Sequence, residues 1–214
     1  MSWLDYFTEP VSNTSTQRLY GVVIGVVTNI KDEKGLGRVK LQFPWLSEQE
    51  ESNWARIAVP MAGNDRGFYF LPEVGDEVLV AFEHGNPSFP YVVGVLWNGK
   101  DKPPIKNDDG KNDLRVIKSR SGHIIRLDDT ADQEKIEIID KSGSNKITFD
   151  TAKNTITITS DKDIKLSAPK GTITLDAQKI DIKANTTIDV KATTEANINA
   201  NANLNLKGGI INLN

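Results

Sequence analysis

The sequence predicts an all-β chain in two parts, a small five-stranded barrel followed by a column of short stacked strands. Three observations carry this. From Leu19 to Trp97, five apolar runs alternate with turn clusters rich in Gly, Pro, Asn and Asp. From Ile164 onward, a unit of apolar, polar, apolar, polar, small recurs about every eight residues. No segment of useful length shows the apolar period of a helix.

Residues 1–17 read as an N-terminal arm, in which Trp3, Leu4, Tyr6 and Phe7 form an apolar cluster before the polar run Ser12 to Gln17. Such an arm is either a frayed terminus or a peptide that orders against a neighbouring subunit. Residues 18–98 form the first domain, with strands expected at Tyr20–Ile30, Gly37–Phe43, Asn53–Val59, Glu77–Phe82 and Tyr91–Leu96. Five short strands in this length fit an OB-like barrel. The contiguous run Phe68-Tyr69-Phe70-Leu71-Pro72 reads as core or as a subunit contact. Residues 99–113, with Pro103-Pro104 and Asn107-Asp108-Asp109-Gly110, form a linker.

Beyond the linker, apolar runs open at Ile136, Ile147, Ile156 and Ile164, separated by 11, 9 and 8 residues. The spacing converges on the octad, so residues 114–214 read as one continuous collar and spike. The octads open at Ile164, Ile173, Ile180, Ile188, Ala196 and Leu204, in steps of 9, 7, 8, 8 and 8. Alternation places Ile164, Leu166, Ile173, Leu175, Ile180, Ile182, Ile188, Val190, Ile198, Leu204 and Leu206 on one face, with Lys, Asp, Asn and Thr on the other.

A five-residue strand with two inward side chains cannot close a core alone, so units must stack until their apolar faces meet. Hairpins are the poorest arrangement. Their tight turns need Gly, Asn-Gly or Asp-Gly, whereas the connections are Gln178-Lys179, Asn185-Thr186-Thr187, Thr193-Thr194-Glu195 and Asn201-Ala202-Asn203. A single-chain triangular β-helix and three chains wound round one axis both satisfy the pattern. Periodicity does not choose between them.

Composition narrows the function. With 26% charged residues and a net charge of −3, nothing calls for nucleic acid or an anionic membrane as partner. An OB-like barrel that binds single strands needs aromatics over a basic groove. Here Trp45, Trp54, Arg38, Arg56 and Arg66 share the domain with Glu48, Glu50, Glu51, Glu73, Asp76 and Glu77, so a nucleic-acid role is disfavoured. The absence of cysteine removes disulfides and Cys-based sites. His84 and His123 stand apart as turn or packing residues, and Asp108-Asp109 and Asp128-Asp129 read as solvated turns rather than Ca²⁺ loops. No nucleophile sits beside a base, so no enzyme, cofactor or metal is expected. No apolar span or basic leader is visible, which predicts assembly in the cytoplasm without a signal peptide.

The runs Gly21-Val22-Val23-Ile24-Gly25-Val26-Val27, Gly37-Arg38-Val39-Lys40-Leu41-Gln42-Phe43-Pro44-Trp45-Leu46 and Trp54-Ala55-Arg56-Ile57-Ala58-Val59-Pro60 closely resemble the OB domain of the phage baseplate assembly protein V and VgrG family. These are the central spikes of contractile injection systems. The likeness continues through Gly67-Phe68-Tyr69-Phe70-Leu71-Pro72-Glu73-Val74-Gly75-Asp76 and Pro90-Tyr91-Val92-Val93-Gly94-Val95-Leu96. Lys118-Ser119-Arg120-Ser121-Gly122-His123 and the octads resemble the collar and β-helix of the same proteins.

The resemblance implies a homotrimer in which the C-terminal strands intertwine into a β-helical needle, and so resolves what periodicity leaves open. It implies baseplate and hub partners, effector cargo, and transient contact with a target envelope. VgrG proteins proper carry a hub domain before the OB fold. With seventeen residues ahead of the barrel, the hub is expected to be a separate protein, contacted through Trp3, Leu4, Tyr6 and Phe7. The regular register breaks at Gly208-Gly209, and the surface of Gly208, Gly209, Ile211 and Leu213 is expected to receive a PAAR-type cap. The alternative reading is a β-solenoid fibre or adhesin with an OB head.

Overall fold

The computed structural model describes residues 18–47 and 49–212. The chain forms two compact units, Met1–Asp161 and Lys162–Asn214. The arm cluster Trp3, Leu4, Tyr6 and Phe7, and Leu213 at the tip, lie outside the described residues.

The first unit opens with the barrel. Its strands are β1 (Val22–Asn29), β2 (Lys40–Gln42), β3 (Arg56–Ile57), β6 (Glu77–Phe82) and β7 (Pro90–Leu96), with the small ribbon β4 (Ala62–Gly63) and β5 (Arg66–Gly67) between β3 and β6. Strands lie in the order β2-β1-β6-β7-β3. All neighbours are antiparallel except β3 and β7, which run parallel through Arg56 opposite Tyr91. The open ends meet: Val39 and Ala55 exchange backbone hydrogen bonds of 3.0 and 2.7 Å just before β2 and β3. The sheet is therefore closed, and its connectivity is that of an OB barrel. Each expected strand is present within a few residues.

Alternation explains the core. In β6, Val78, Val80 and Phe82 point inward and are buried with Val27, Val39, Leu41, Phe43, Ala55 and Val92. Gly25 on β1 is required by a close approach: a Cβ there would lie 3.1 Å from the Phe43 ring. Phe43 uses that space to meet Phe82 edge-on at 5.6 Å between centroids. The β1–β2 loop is locked by one carboxylate. Asp32 accepts the backbone N–H of Lys34 and Leu36 and a two-pronged contact from Arg38, at 2.8 and 2.7 Å. That contact, with the backbone donors, holds its carboxyl far below the usual range.

After an irregular stretch, five strands form an antiparallel meander: β8 (Leu114–Lys118), β9 (Ile124–Asp128), β10 (Lys135–Ile139), β11 (Lys146–Asp150) and β12 (Thr155–Thr159). Ile136, Ile147 and Ile156 of the converging series fall on β10, β11 and β12. Every hairpin turn contains a left-handed residue, namely Gly122, Asp132, Gly143 and Asn154. This is the turn chemistry that tight hairpins demand.

Residues 162–212 behave differently. Extended stretches are interrupted by bends at 169–171, 178, 185–186, 193–194 and 201–202. These coincide with the octad boundaries. Among the described residues of this unit there is no strand ladder, and every residue is exposed. No described residue beyond Asn154 is among the left-handed ones. Among the described residues, neither hairpins nor a single-chain coil with paired strands is formed.

Candidate functional site

The features that stand out are surfaces rather than a pocket of chemical groups. No group of three or more His, Cys, Asp or Glu able to hold a metal occurs among the described residues. His84 sits in a 3-10 turn at Glu83–Gly85, where its carbonyl accepts Arg18. His123 accepts the Lys141 backbone N–H at Nδ1, tying the β8–β9 turn to the β10–β11 turn. No helix among the described residues is long and apolar enough to cross a membrane.

The meander has two unlike faces. Its ladders are straight, so residues directly opposite one another share a face. One row across all five strands reads Ile117, Ile125, Ile138, Ile147, Ile158. The next row on that face reads Arg115, Leu127, Ile136, Phe149, Ile156. Nine of these ten side chains are apolar, yet eight of the nine are exposed large hydrophobics in the chain alone, from 41% at Phe149 to 67% at Ile156. A sheet face of this composition exceeds the scattered apolar residues of an ordinary surface.

The opposite face carries the ion pairs. Arg126 on β9 meets Glu137 on β10, and Lys135 lies 3.8 Å from Asp128. Glu137 is buried, while the isoleucines beside it are not. The sheet thus buries one charged side chain, Glu137, on its ion-pair face and leaves its apolar face open. Single-residue cues for this were present in the sequence, because I-x-I or I-x-L alternation marks β9, β10 and β12. What sequence reasoning missed is that all five strands align in register to make one continuous surface.

The octads extend the pattern. Ile164, Leu166, Ile173, Leu175, Ile180, Ile182, Ile188, Val190, Ile198, Leu204 and Leu206 are all exposed, between 50% and 79%. No described residue covers them. At the tip, Ile211 is half-exposed and Ile210 more so, and a Cβ on Gly208 would lie 3.2 Å from the Ile210 carbonyl.

The barrel exposes a third surface. Phe68, Tyr69 and Phe70 follow β5 at 50, 77 and 62% exposure, so this run is not barrel core. With Leu36, Met61 and Arg66 it lines an open cleft between the β1–β2 loop and the β4–β5 ribbon. Beside that loop, Arg38 and Lys40 both lie over Trp54, at 5.6 and 5.7 Å from its centroid. Asp32 and Glu51 pair with the two cations, at 2.7 and 3.0 Å.

Residues 23–97 match the Type VI secretion system/phage-baseplate injector OB domain family. The chain is 32% identical over 120 residues to the Type VI secretion system spike protein VgrG2a of Pseudomonas aeruginosa, a match covering 52% of this chain and 14% of that protein. It is 33% identical over 99 residues to the spike protein VgrG3 of Vibrio cholerae, covering 42% of this chain and 10% of that one. VgrG4b of Pseudomonas aeruginosa matches at 31% over 147 residues, 63% of this chain and 18% of its own length. The chain therefore spans less than a fifth of each of these relatives. It is VgrG-like, and related to the spikes of secretion-system and phage baseplates.

Proposed function

We propose, from the premise that residues 23–97 are an injector OB domain, that this protein is the homotrimeric central spike of a contractile injection system baseplate. Three barrels would stand at the base. The open meander faces would meet round one axis, and the octads would intertwine below them as a triangular β-helix.

The observation that carries the reading is the state of residues 162–212. Their apolar residues recur with the octad and are exposed without exception, and their backbone makes no ladder. A chain holding this path alone would leave both the hydrophobic and the hydrogen-bond terms unmet. Winding three chains meets both: each strand gains two neighbours from other chains, and each inward Ile, Leu or Val gains roughly 1.5–3 kcal/mol from burial. The result would be a rod that cannot peel one layer at a time, as a needle driven by a contracting sheath requires.

Two partners belong to the same proposal. A hub protein would seat the base, through Trp3, Leu4, Tyr6 and Phe7. A PAAR-type protein would cap the end at Gly208, Gly209, Ile211 and Leu213. Support for the cap comes from the tip's low charge, since Glu195 and Lys207 are the only charged side chains after Ala192. Effector cargo and contact with a target envelope would accompany the same role.

Light scattering on the purified chain tests the core of the proposal. A mass of three chains, with rods in negative-stain images, is expected. A monomer or dimer at micromolar concentration would overturn it.

A further inference from the structure

Asn98-Gly99 is the one Asn-Gly step in the sequence, and it lies where β7 leaves the barrel for residues 99–113. Glycine after asparagine leaves the approach of its own amide nitrogen to the asparagine Cγ unhindered, because no side chain flanks that nitrogen. A Cβ at position 99 would meet no atom within 4 Å, so the surroundings leave the approach open as well. The Gly99 N–H donates to no described residue, whereas the N–H groups of Lys100 and Asp101 are both engaged.

Those two donors hold the carboxamide oxygen. Asn98 Oδ1 accepts the Lys100 N–H at 2.8 Å and the Asp101 N–H at 2.6 Å. The carboxamide nitrogen faces the opposite charge: Nδ2 donates to Glu77 Oε1 at 3.1 Å and to Asp101 Oδ2 at 3.3 Å. A fifth bond, from the Asn98 N–H to the Asp101 carbonyl at 2.9 Å, closes the turn. Donors at the oxygen and carboxylates at the nitrogen favour attack on Cγ. In the tetrahedral species the oxygen gains negative charge, and the nitrogen gains positive charge as it is protonated to leave. Preorganised groups aimed at charge that develops only during reaction lower the barrier. Water has access, since Asn98 is half-buried and Gly99 and Lys100 are exposed.

We infer that Asn98 is a self-modifying site, at which the folded turn promotes loss of the side-chain amide as ammonia and leaves a carboxylate between Glu77 and Asp101. The Gly99 nitrogen bonds to Cγ and gives up its proton, the Cγ–Nδ2 bond breaks, and Nδ2 departs with that proton as ammonia. Water then opens the resulting five-membered imide, giving aspartate or isoaspartate at position 98. The product reverses the electrostatics of the turn. The two donor contacts of Nδ2 are replaced by a third carboxylate, and like charges at hydrogen-bond distance repel. A clasp between the start of β6 and the turn after β7 becomes a point of separation, in one direction only and without an enzyme.

The purified full chain would be incubated at mildly alkaline pH, in buffer and in urea, with isoaspartate and aspartate located by peptide mapping. Conversion at Asn98 is expected to be faster in buffer than in urea, because unfolding removes the placed groups but keeps the Asn-Gly sequence. Conversion that is equal or faster in urea would overturn the proposal, as would an Asn98 that keeps its amide while other asparagines lose theirs. Glu77→Gln keeps an oxygen for Nδ2 but removes its charge, and is expected to slow conversion in buffer about tenfold, the effect of the charge in one hydrogen bond. Its rate in urea should match the parent's, and a matching rate in buffer would also overturn the proposal. Asn98→Asp carries the product from the start and is expected to speed tryptic cleavage after Lys100. An unchanged cleavage rate would overturn the opening of the turn.

Discussion

Arg126 reaches across from β9 to Glu137 on β10, its Nε 2.9 Å from Oε2, and holds a carboxylate that is only 6% exposed. This pair sits on the face of the meander opposite the isoleucine rows. Removing one partner strands the other charge in a poorly solvated place, which costs more than the pair contributes when intact. Glu137→Ala is expected to lower stability by about 2 kcal/mol, read as a shifted denaturant midpoint. Exchanging both residues for leucine should recover part of that loss, giving a strongly non-additive cycle. Additive effects would show that the pair is solvated and contributes little.

Gly25 supports a prediction of opposite origin, since no charge is involved. With a Cβ position 3.1 Å from the Phe43 ring, even Gly25→Ala forces Phe43 away from Phe82. Overpacking of this kind costs about 1–3 kcal/mol. Gly25→Ala should reduce the melting temperature, and Gly25→Val should do so more. The second variant Phe43→Leu should partly rescue it by vacating the space, and failure of rescue would locate the strain elsewhere.

Acid should loosen the meander of β8 to β12. The Ser142 hydroxyl and the Asn145 side-chain and backbone donors lower the Asp140 carboxyl to about 2, and Asp128 and Asp150 are lowered by Thr130 and Lys153. A depressed folded value means that the stabilisation is present above the ordinary carboxylate value near 3.8 and is lost as pH falls through the folded value. Resistance to urea should therefore be insensitive to pH from about 7 to about 5 and weaken progressively below about 4. Asp140→Asn should flatten that dependence, and an unchanged slope would remove Asp140 from the account.

Much of this was legible in the sequence because each element's pattern is local. The barrel strands could be read from apolar runs between Gly- and Pro-rich turns, and the bends of residues 162–212 fall where the octads end. The meander was less visible. Its turns, Thr130-Ala131-Asp132-Gln133 and Thr151-Ala152-Lys153-Asn154, place Asp132 and Asn154 in the left-handed region without the glycine that marks a hairpin. Phe68-Tyr69-Phe70 could be read as core or contact from hydrophobicity alone, and only the closure of the barrel through Val39 and Ala55 shows that no interior remains for it. Burial is a property of the closed sheet, not of the run.

The octads give the most decisive substitution. Ile182 is 69% exposed in the chain alone, so a monomer should tolerate Ile182→Asp, with a stability change within about 0.5 kcal/mol, as for any surface site. In a three-chain prism the same change brings three carboxylates towards one axis with no cation to pair them, at a cost of several kcal/mol per buried charge. The two cases predict opposite outcomes from one experiment. Ile182→Asp is expected to abolish the denaturant-resistant trimer while the barrel retains its own fold, seen as monomeric mass with native-like Trp fluorescence. Lys183→Asp, the adjacent outward position, should leave the trimer intact. A trimer that survives Ile182→Asp would mean that these apolar residues do not face one another, and the needle would have to be abandoned.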